Sequence, residues 1–233
     1  MTDAIKHIGI VGCSAEGAAL CYKTICKESA DWLGEYAHPE VSMHTHSLAD
    51  YVKYLEAGDL DGVAALMLSS AEKLNKQGAD FLICPDNTIH QVMDRVAPSS
   101  PLPWLHIADA VTENANNVGF RNIGILGTRW LVESDVYPSH IEAAGMGWLR
   151  PNPEEINETS RIIMEELVHG NFLPDSIAYF QNVIHNLRER GCDSVVLGCT
   201  EIPLIISDDN SVLTTLDSTR LLARAAIRKA VNG

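Results

Sequence analysis

Gly78-Ala79-Asp80-Phe81-Leu82-Ile83-Cys84-Pro85-Asp86-Asn87-Thr88 and Gly191-Cys192-Asp193-Ser194-Val195-Val196-Leu197-Gly198-Cys199-Thr200-Glu201 share one layout. Each opens on a glycine suited to ending a helix and passes through a short apolar run bounded by turn formers. Each closes on a side chain able to carry a proton, Asp86 in the first copy and Cys199 in the second. An apolar run of that length, framed in that way, is a buried strand delivering its last residue into a loop. An earlier pair repeats as well, since Ile8-Gly9-Ile10-Val11-Gly12 matches Ile123-Gly124-Ile125-Leu126-Gly127 at nearly the same separation. One half of the chain has been used twice, with a potential acid or base at the same place in each copy.

Working outward, strand-like runs alternate with helical patterns. Strands are predicted at His7–Val11, Val41–His46, Phe81–Cys84, Trp104–Ile107, Ile123–Leu126, Ser194–Leu197 and Val212–Leu216. Between them, helices are predicted at about 17–33, 60–77, from Asn87, and at 108–118, 132–144, 154–169, 176–190 and from Ser218. Leu60, Val63, Ala64, Met67, Leu68 and Ala71 fall at helical spacing, and Gly78 is placed to end their helix. Asp217 or Ser218 can cap the last one. Such alternation means an α/β fold with largely parallel sheets. The rigid stretch Pro98-Ser99-Ser100-Pro101-Leu102-Pro103 reads as the passage between halves. The expectation is two similar lobes, residues 1–99 plus 210–233 and residues 100–209. Each is a mainly parallel sheet flanked by helices. A pseudo-twofold relates them, and the active site lies between them at the carboxyl ends of the strands.

The bulk composition limits the classes of function. The chain has 233 residues, 46 % of them hydrophobic and 21 % charged, as in an ordinary folded domain. A formal charge of −14, from 17 basic and 31 acidic side chains, argues against nonspecific nucleic-acid binding or docking on an anionic membrane. No apolar run approaches the roughly 18–20 residues of a membrane span. The chain enters a strand almost at once, with no room for a signal peptide. Six cysteines without a CxxC pair suit a reducing cytoplasm rather than a disulfide scaffold.

If the halves face one another, Asp86 and Cys199 oppose each other. Two proton carriers on opposite faces of one carbon let a stereocentre be deprotonated from one side and reprotonated from the other. Asn87, Thr88 and Thr200 follow the carriers at loop-to-helix transitions, where amide N–H groups and small polar side chains suit a carboxylate. The same donors would absorb enolate-like charge as the α-proton leaves, with no metal or pyridoxal required.

At these residues the chain resembles the aspartate/glutamate racemase family. The matching segments are the Ile-Gly-Ile-Val-Gly strand, Asn87-Thr88-Ile89-His90, Leu105-His106-Ile107-Ala108-Asp109, Gly124-Ile125-Leu126-Gly127-Thr128 and Gly198-Cys199-Thr200-Glu201. The resemblance runs nearly end to end. It implies a cofactor-independent amino-acid racemase of two α/β lobes, often a homodimer, acting on a small carboxylate. It implies Cys199 as a thiol/thiolate acid–base residue and Asn87, Thr88 and Thr200 as carboxylate binders. The chain departs from the pattern where a cysteine usually precedes Asn-Thr, for Asp86 stands there. The broad-specificity L-aspartate/glutamate branch, which this chain resembles most, places threonine at that position. The family's Gly-Gly-Met after the first strand is Gly12-Cys13-Ser14 here, putting Ser14 and Glu16 near the substrate.

Asp86 has three readings: a second base, an electrostatic partner that keeps Cys199 protonated, or a binder of a substrate ammonium or hydroxyl. Cys84 reads as the last buried residue of its strand. His46 could line the cleft as a donor or proton shuttle. His44, His46 and His90 lack the tight spacing of a metal site, so no metal is expected. Two alternatives accompany the racemase reading. One is a one-cysteine decarboxylase or cis-trans isomerase of small dicarboxylic acids. The other is a non-catalytic binding protein for a small ligand.

Overall fold

Ile8–Gly12 forms β1, and every residue in it is buried, as expected of a parallel strand covered on both faces. The computed structural model describes residues 4–233. Backbone contacts divide the chain into two units. The first comprises the chain through Ala110 together with Thr219–Gly233, and the second is Val111–Ser218.

In the first unit β1 leads into α1 (Ala15–Glu28) and the single turn α2 (Ala30–Leu33). The sequence predicts one helix over 17–33. It breaks at Ser29, whose hydroxyl and amide both donate to the Ile25 carbonyl. Next come β2 (Val41–Thr45), α3 (Leu48–Ala57), α4 (Leu60–Lys76) and β3 (Phe81–Ile83). A 3-10 segment at Asn87–Val92, the turn α5 (Met93–Val96) and β4 (Trp104–Leu105) follow, and α6 (Ile107–Val118) starts in this unit and continues into the second after Ala110. The strands form one parallel sheet in the order β2-β1-β3-β4. Alternation sorts its side chains into two layers. Ile8, Ile10, Phe81 and Ile83 pack with Cys21 and Ile25 of α1 and with Leu222, Ala223, Ala226 and Ile227 of the last helix, α11 (Ser218–Asn232). Val11, Leu82 and Cys84 pack with Tyr51 of α3 and Val63, Met67 and Leu74 of α4.

The second unit repeats the plan. β5 (Asn122–Leu126), α7 (Arg129–Val132), α8 (Pro138–Ala143) and β6 (Gly147–Leu149) come first. They are followed by α9 (Pro153–Glu165), α10 (Pro174–Glu189), β7 (Ser194–Leu197) and β8 (Thr214–Asp217). The sheet order is β6-β5-β7-β8, all parallel, the same path as in the first unit. Leu126, Val195 and Leu197 pack on Ile162 and Ile163 of α9 and on Phe180, Val183, Ile184 and Leu187 of α10. The helix predicted over 132–144 is instead two short helices, because Pro138 cannot continue one and starts another at its first position. Trp104 joins the first sheet through β3, and β8 joins the second through β7. Backbone contacts divide the chain at Ala110/Val111 and Ser218/Thr219.

The repeat extends to the local chemistry. Gly78 and Gly191 end α4 and α10 at φ +88° and +98°, a region where a side chain is strained. Two residues on, Asp80 accepts from the His7 amide at 2.7 Å, and Asp193 accepts from the Arg121 and Asn122 amides at 2.6 and 3.2 Å. One carboxylate thus pins the start of the neighbouring strand in each copy. No helix among the described residues is long and apolar enough to cross a membrane.

Candidate active site

In each sheet the inner strands send their chains to opposite sides: β1 turns to β2 and β3 to β4, and likewise β5 to β6 and β7 to β8. That reversal leaves a crevice beyond the carboxyl ends of the inner pair. In the first unit the crevice is flanked by Cys13-Ser14 after β1 and Asp86-Asn87-Thr88 after β3. In the second it is flanked by Gly127-Thr128 after β5 and Gly198-Cys199-Thr200 after β7.

Asp86 binds the facing loop through both oxygens. Oδ2 accepts from the Cys13 amide at 2.9 Å and Oδ1 from the Ser14 amide at 3.0 Å. Ser14 is the N-cap of α1, its hydroxyl accepting from the Gly17 amide at 3.2 Å. The carboxylate therefore closes the gap between the loops after β1 and β3, a role absent from the three sequence readings. Only the adjacency of β1 and β3 in the sheet makes it visible. Asn87 is buried at the start of the 3-10 segment and Thr88 is half-buried beside it. Glu16 is exposed in the first turn of α1.

Cys84 is fully buried, as read from the sequence. Burial, and then the Asp86 charge, push its thiol well above the ordinary range, so it stays protonated and unreactive. The same surroundings act on Tyr51, whose hydroxyl is pushed up by burial and then by Cys84, Cys13 and Asp86. His90 is buried, its Nε2 2.9 Å from the Cys84 carbonyl and its ring edge-on to His106 at 4.5 Å.

His46 lies just past the edge strand β2, with Nε2 3.2 Å from the Ser69 hydroxyl of α4. Its neighbour His44 accepts from Lys73 Nζ through Nε2 at 2.9 Å, because an ammonium can only donate. Nδ1 of His44 then carries the proton and donates to the Ser70 hydroxyl at 2.9 Å. Burial and the Lys73 charge lower both imidazoles from about 6.5. A depressed imidazole pKa leaves the fold's stability intact above about 6.5 and removes it as pH falls from there through the folded-state value. Urea midpoints should therefore drop between pH 7 and 5, and His44→Gln/His46→Gln should flatten that drop. An unchanged slope in the double variant would contradict this assignment.

In the second unit Cys199 Sγ donates to Glu201 Oε2 at 2.9 Å, and the Thr200 hydroxyl donates to the same oxygen at 2.8 Å. Thr200 and Glu201 are 4 % exposed, whereas Cys199 is partly open. A thiol held against a buried carboxylate, at the end of a switch-point strand, is an arrangement for moving a proton. Gly198 makes the turn possible. A Cβ there would lie 2.4 Å from Leu131 Cδ2 and 2.6 Å from the Leu126 carbonyl oxygen. Thr128, buried just past β5 at the N-cap of α7, lies in the Gly124–Thr128 segment of the family resemblance but has no role assigned from the sequence.

The model of the Asp/Glu/hydantoin racemase family matches residues 8–226, which takes in both sheets and both of these loops. The chain belongs to that family. It is thus related to racemases, which are isomerases. A broad-specificity amino-acid racemase, RacX of Bacillus subtilis, is 21 % identical over 171 residues, covering 72 % of this chain and 73 % of the relative. A glutamate racemase of Thermus thermophilus is 26 % identical over 161 residues, 66 % of this chain but 57 % of the longer relative. Among solved structures, an aspartate racemase homologue from Pyrococcus horikoshii is 30 % identical with a TM-score of 0.83, covering 97 % of this chain and 99 % of that one.

Proposed function

We propose that the protein is a cofactor-independent amino-acid racemase, with Cys199 as its principal acid–base residue and Asp86 as the second proton carrier. The thiol–carboxylate pair of Cys199 and Glu201, 2.9 Å apart on the loop after β7, carries this reading. Glu201 draws the proton from the thiol, and the thiolate removes the substrate's α-proton. The C–H electron pair moves into the substrate carboxylate as an enediolate. Asn87, Thr88 and Ser14, with the Thr200 backbone amide, supply donors for the substrate carboxylate, where that charge collects. Asp86, protonated from solvent before substrate binds, returns its proton to the opposite face of the carbon and is left as the carboxylate, which completes the inversion. Return by the Cys199 thiol to the same face restores the starting isomer. His46 and Glu16 are assigned to side-chain selection, and the small carboxylate is the only partner the chemistry requires.

The test is solvent deuterium incorporation at Cα across a panel of L- and D-amino acids, using purified, reduced protein. Exchange with inversion supports the proposal. Absence of exchange with every amino acid refutes it.

One observation favours a second reading. Asp86 already has both oxygens on backbone amides, so Cys199 can act as a lone proton donor. Such a site suits a decarboxylase or cis-trans isomerase of small dicarboxylic acids. Product analysis with a disubstituted malonate and with maleate separates this reading from racemisation.

A further inference from the structure

A groove of about 830 Å³ lies in the second unit, away from the loop that carries Cys199. Trp148 and Arg150 at the end of β6 form one wall, and Asn186, Glu189 and Arg190 at the end of α10 form the other. Its volume falls in the range of small-molecule sites. The two arginines are fixed by groups that leave their charges unneutralised. The Arg150 guanidinium lies 4.6 Å over the Trp148 ring and donates through Nη2 to the Ser134 carbonyl at 2.9 Å. Nε of Arg150 is buried without a hydrogen-bond partner. Arg190 donates through Nη1 to the Arg150 backbone carbonyl at 2.8 Å, and both arginines line the groove.

Among the described residues neither arginine has a carboxylate within ion-pair distance, in a chain whose formal charge is −14. The carboxylates in the groove wall are already engaged. Glu189 pairs with Arg188 at 2.9 Å, and Glu155 accepts from the Asn152 amide and from Asn186 Nδ2 at 2.8 and 2.7 Å. The indole is held as well, since Trp148 Nε1 donates to Glu142 at 2.8 Å. Two forked cations with spare N–H donors, next to a fixed aromatic ring, match an oxyanion joined to a flat apolar body.

We propose that this groove binds a small organic anion, its phosphate or carboxylate held by Arg150 and Arg190 and its apolar part resting against Trp148. The site is independent of the racemase assignment and uses none of its residues.

The experiment titrates the whole protein with phenyl phosphate and with phenylacetate at constant ionic strength. Binding is followed by calorimetry and by tryptophan fluorescence, with benzyl alcohol as the uncharged control. Saturable binding of either anion is expected, weakened at least tenfold by Arg190→Gln or Arg150→Met and unchanged by Arg188→Gln. Whichever anion binds more tightly identifies the oxyanion. Arg190 is exposed, so its variant should keep the wild-type urea midpoint. Should that variant fail to fold, Arg150→Met gives the same readout. No saturable binding of either anion, or wild-type affinity in both groove variants, overturns the proposal.

Discussion

Cys199→Ala should slow α-proton exchange, lowering kcat by about 10²–10⁴-fold, the usual contribution of a positioned proton carrier. The rest of the fold should be little affected, because the thiol is partly open and Glu201, which it meets, retains the Thr200 hydroxyl. Deuterium incorporation and the urea midpoint, measured on the same preparation, check both halves of this expectation. Glu201→Gln keeps an acceptor oxygen but removes the charge. It should lower kcat less than Cys199→Ala and displace the pH profile of kcat/KM. Thr200→Val removes the hydroxyl that donates to Glu201, so it should displace the same profile while leaving the thiol in place. Full activity in Cys199→Ala would remove the thiol from the chemistry altogether.

The second large effect is expected at Asp86. Asp86→Ala strips the acceptor from two amides, and a buried donor left unsatisfied costs about 1–3 kcal/mol. The urea midpoint should fall clearly, and the loop of Cys13 and Ser14 should gain hydrogen-exchange rate relative to β1. Asp86→Asn retains one carbonyl acceptor and turns an amide N–H₂ toward the other donor, so it should be intermediate in stability. Activity then separates the roles. If Asp86 acts only as the tie between loops, the Asp86→Asn protein should exchange substrate deuterium in step with its folded fraction. If Asp86 carries a proton, the same variant should lose inversion while Cys199 still exchanges one isomer. Wild-type stability in both variants would mean that the two amide bonds do not hold the loops.

The repeat was legible because its physical causes are local. Gly78 and Gly191 answer a positive φ at a helix end, and the runs that follow them answer burial on both faces of a parallel sheet. Cys199 and Asp86 could be placed after the inner strands for the same reason. Other features depend on partners distant in the chain. β4 has two residues and β6 three, too few to display a period, so their places in the sheets follow only from pairing with β3 and β5. α3 carries Leu48, Tyr51 and Leu55 on one side at helical spacing, but this short stretch lies between a stronger strand signal before it and a stronger helix signal after it. The anchoring of Asp86 was not readable at all. It requires β1 and β3 to be neighbours, and any residue but proline could supply the two amides that Cys13 and Ser14 donate. The Cys199–Glu201 contact was partly readable, since two residues at a loop-to-helix turn can face each other.

The route of α11 sets the order in which a nascent polypeptide can finish its parts. Leu222, Ala223, Ala226 and Ile227 cover Ile8, Ile10, Phe81 and Ile83, which the ribosome produced long before. During synthesis that apolar sheet face waits without its lid while Val111–Ser218, a continuous segment, can complete its own core. The part translated first is thus the last to mature, and a ribosome stalled before Thr219 would present chaperones with an open hydrophobic surface.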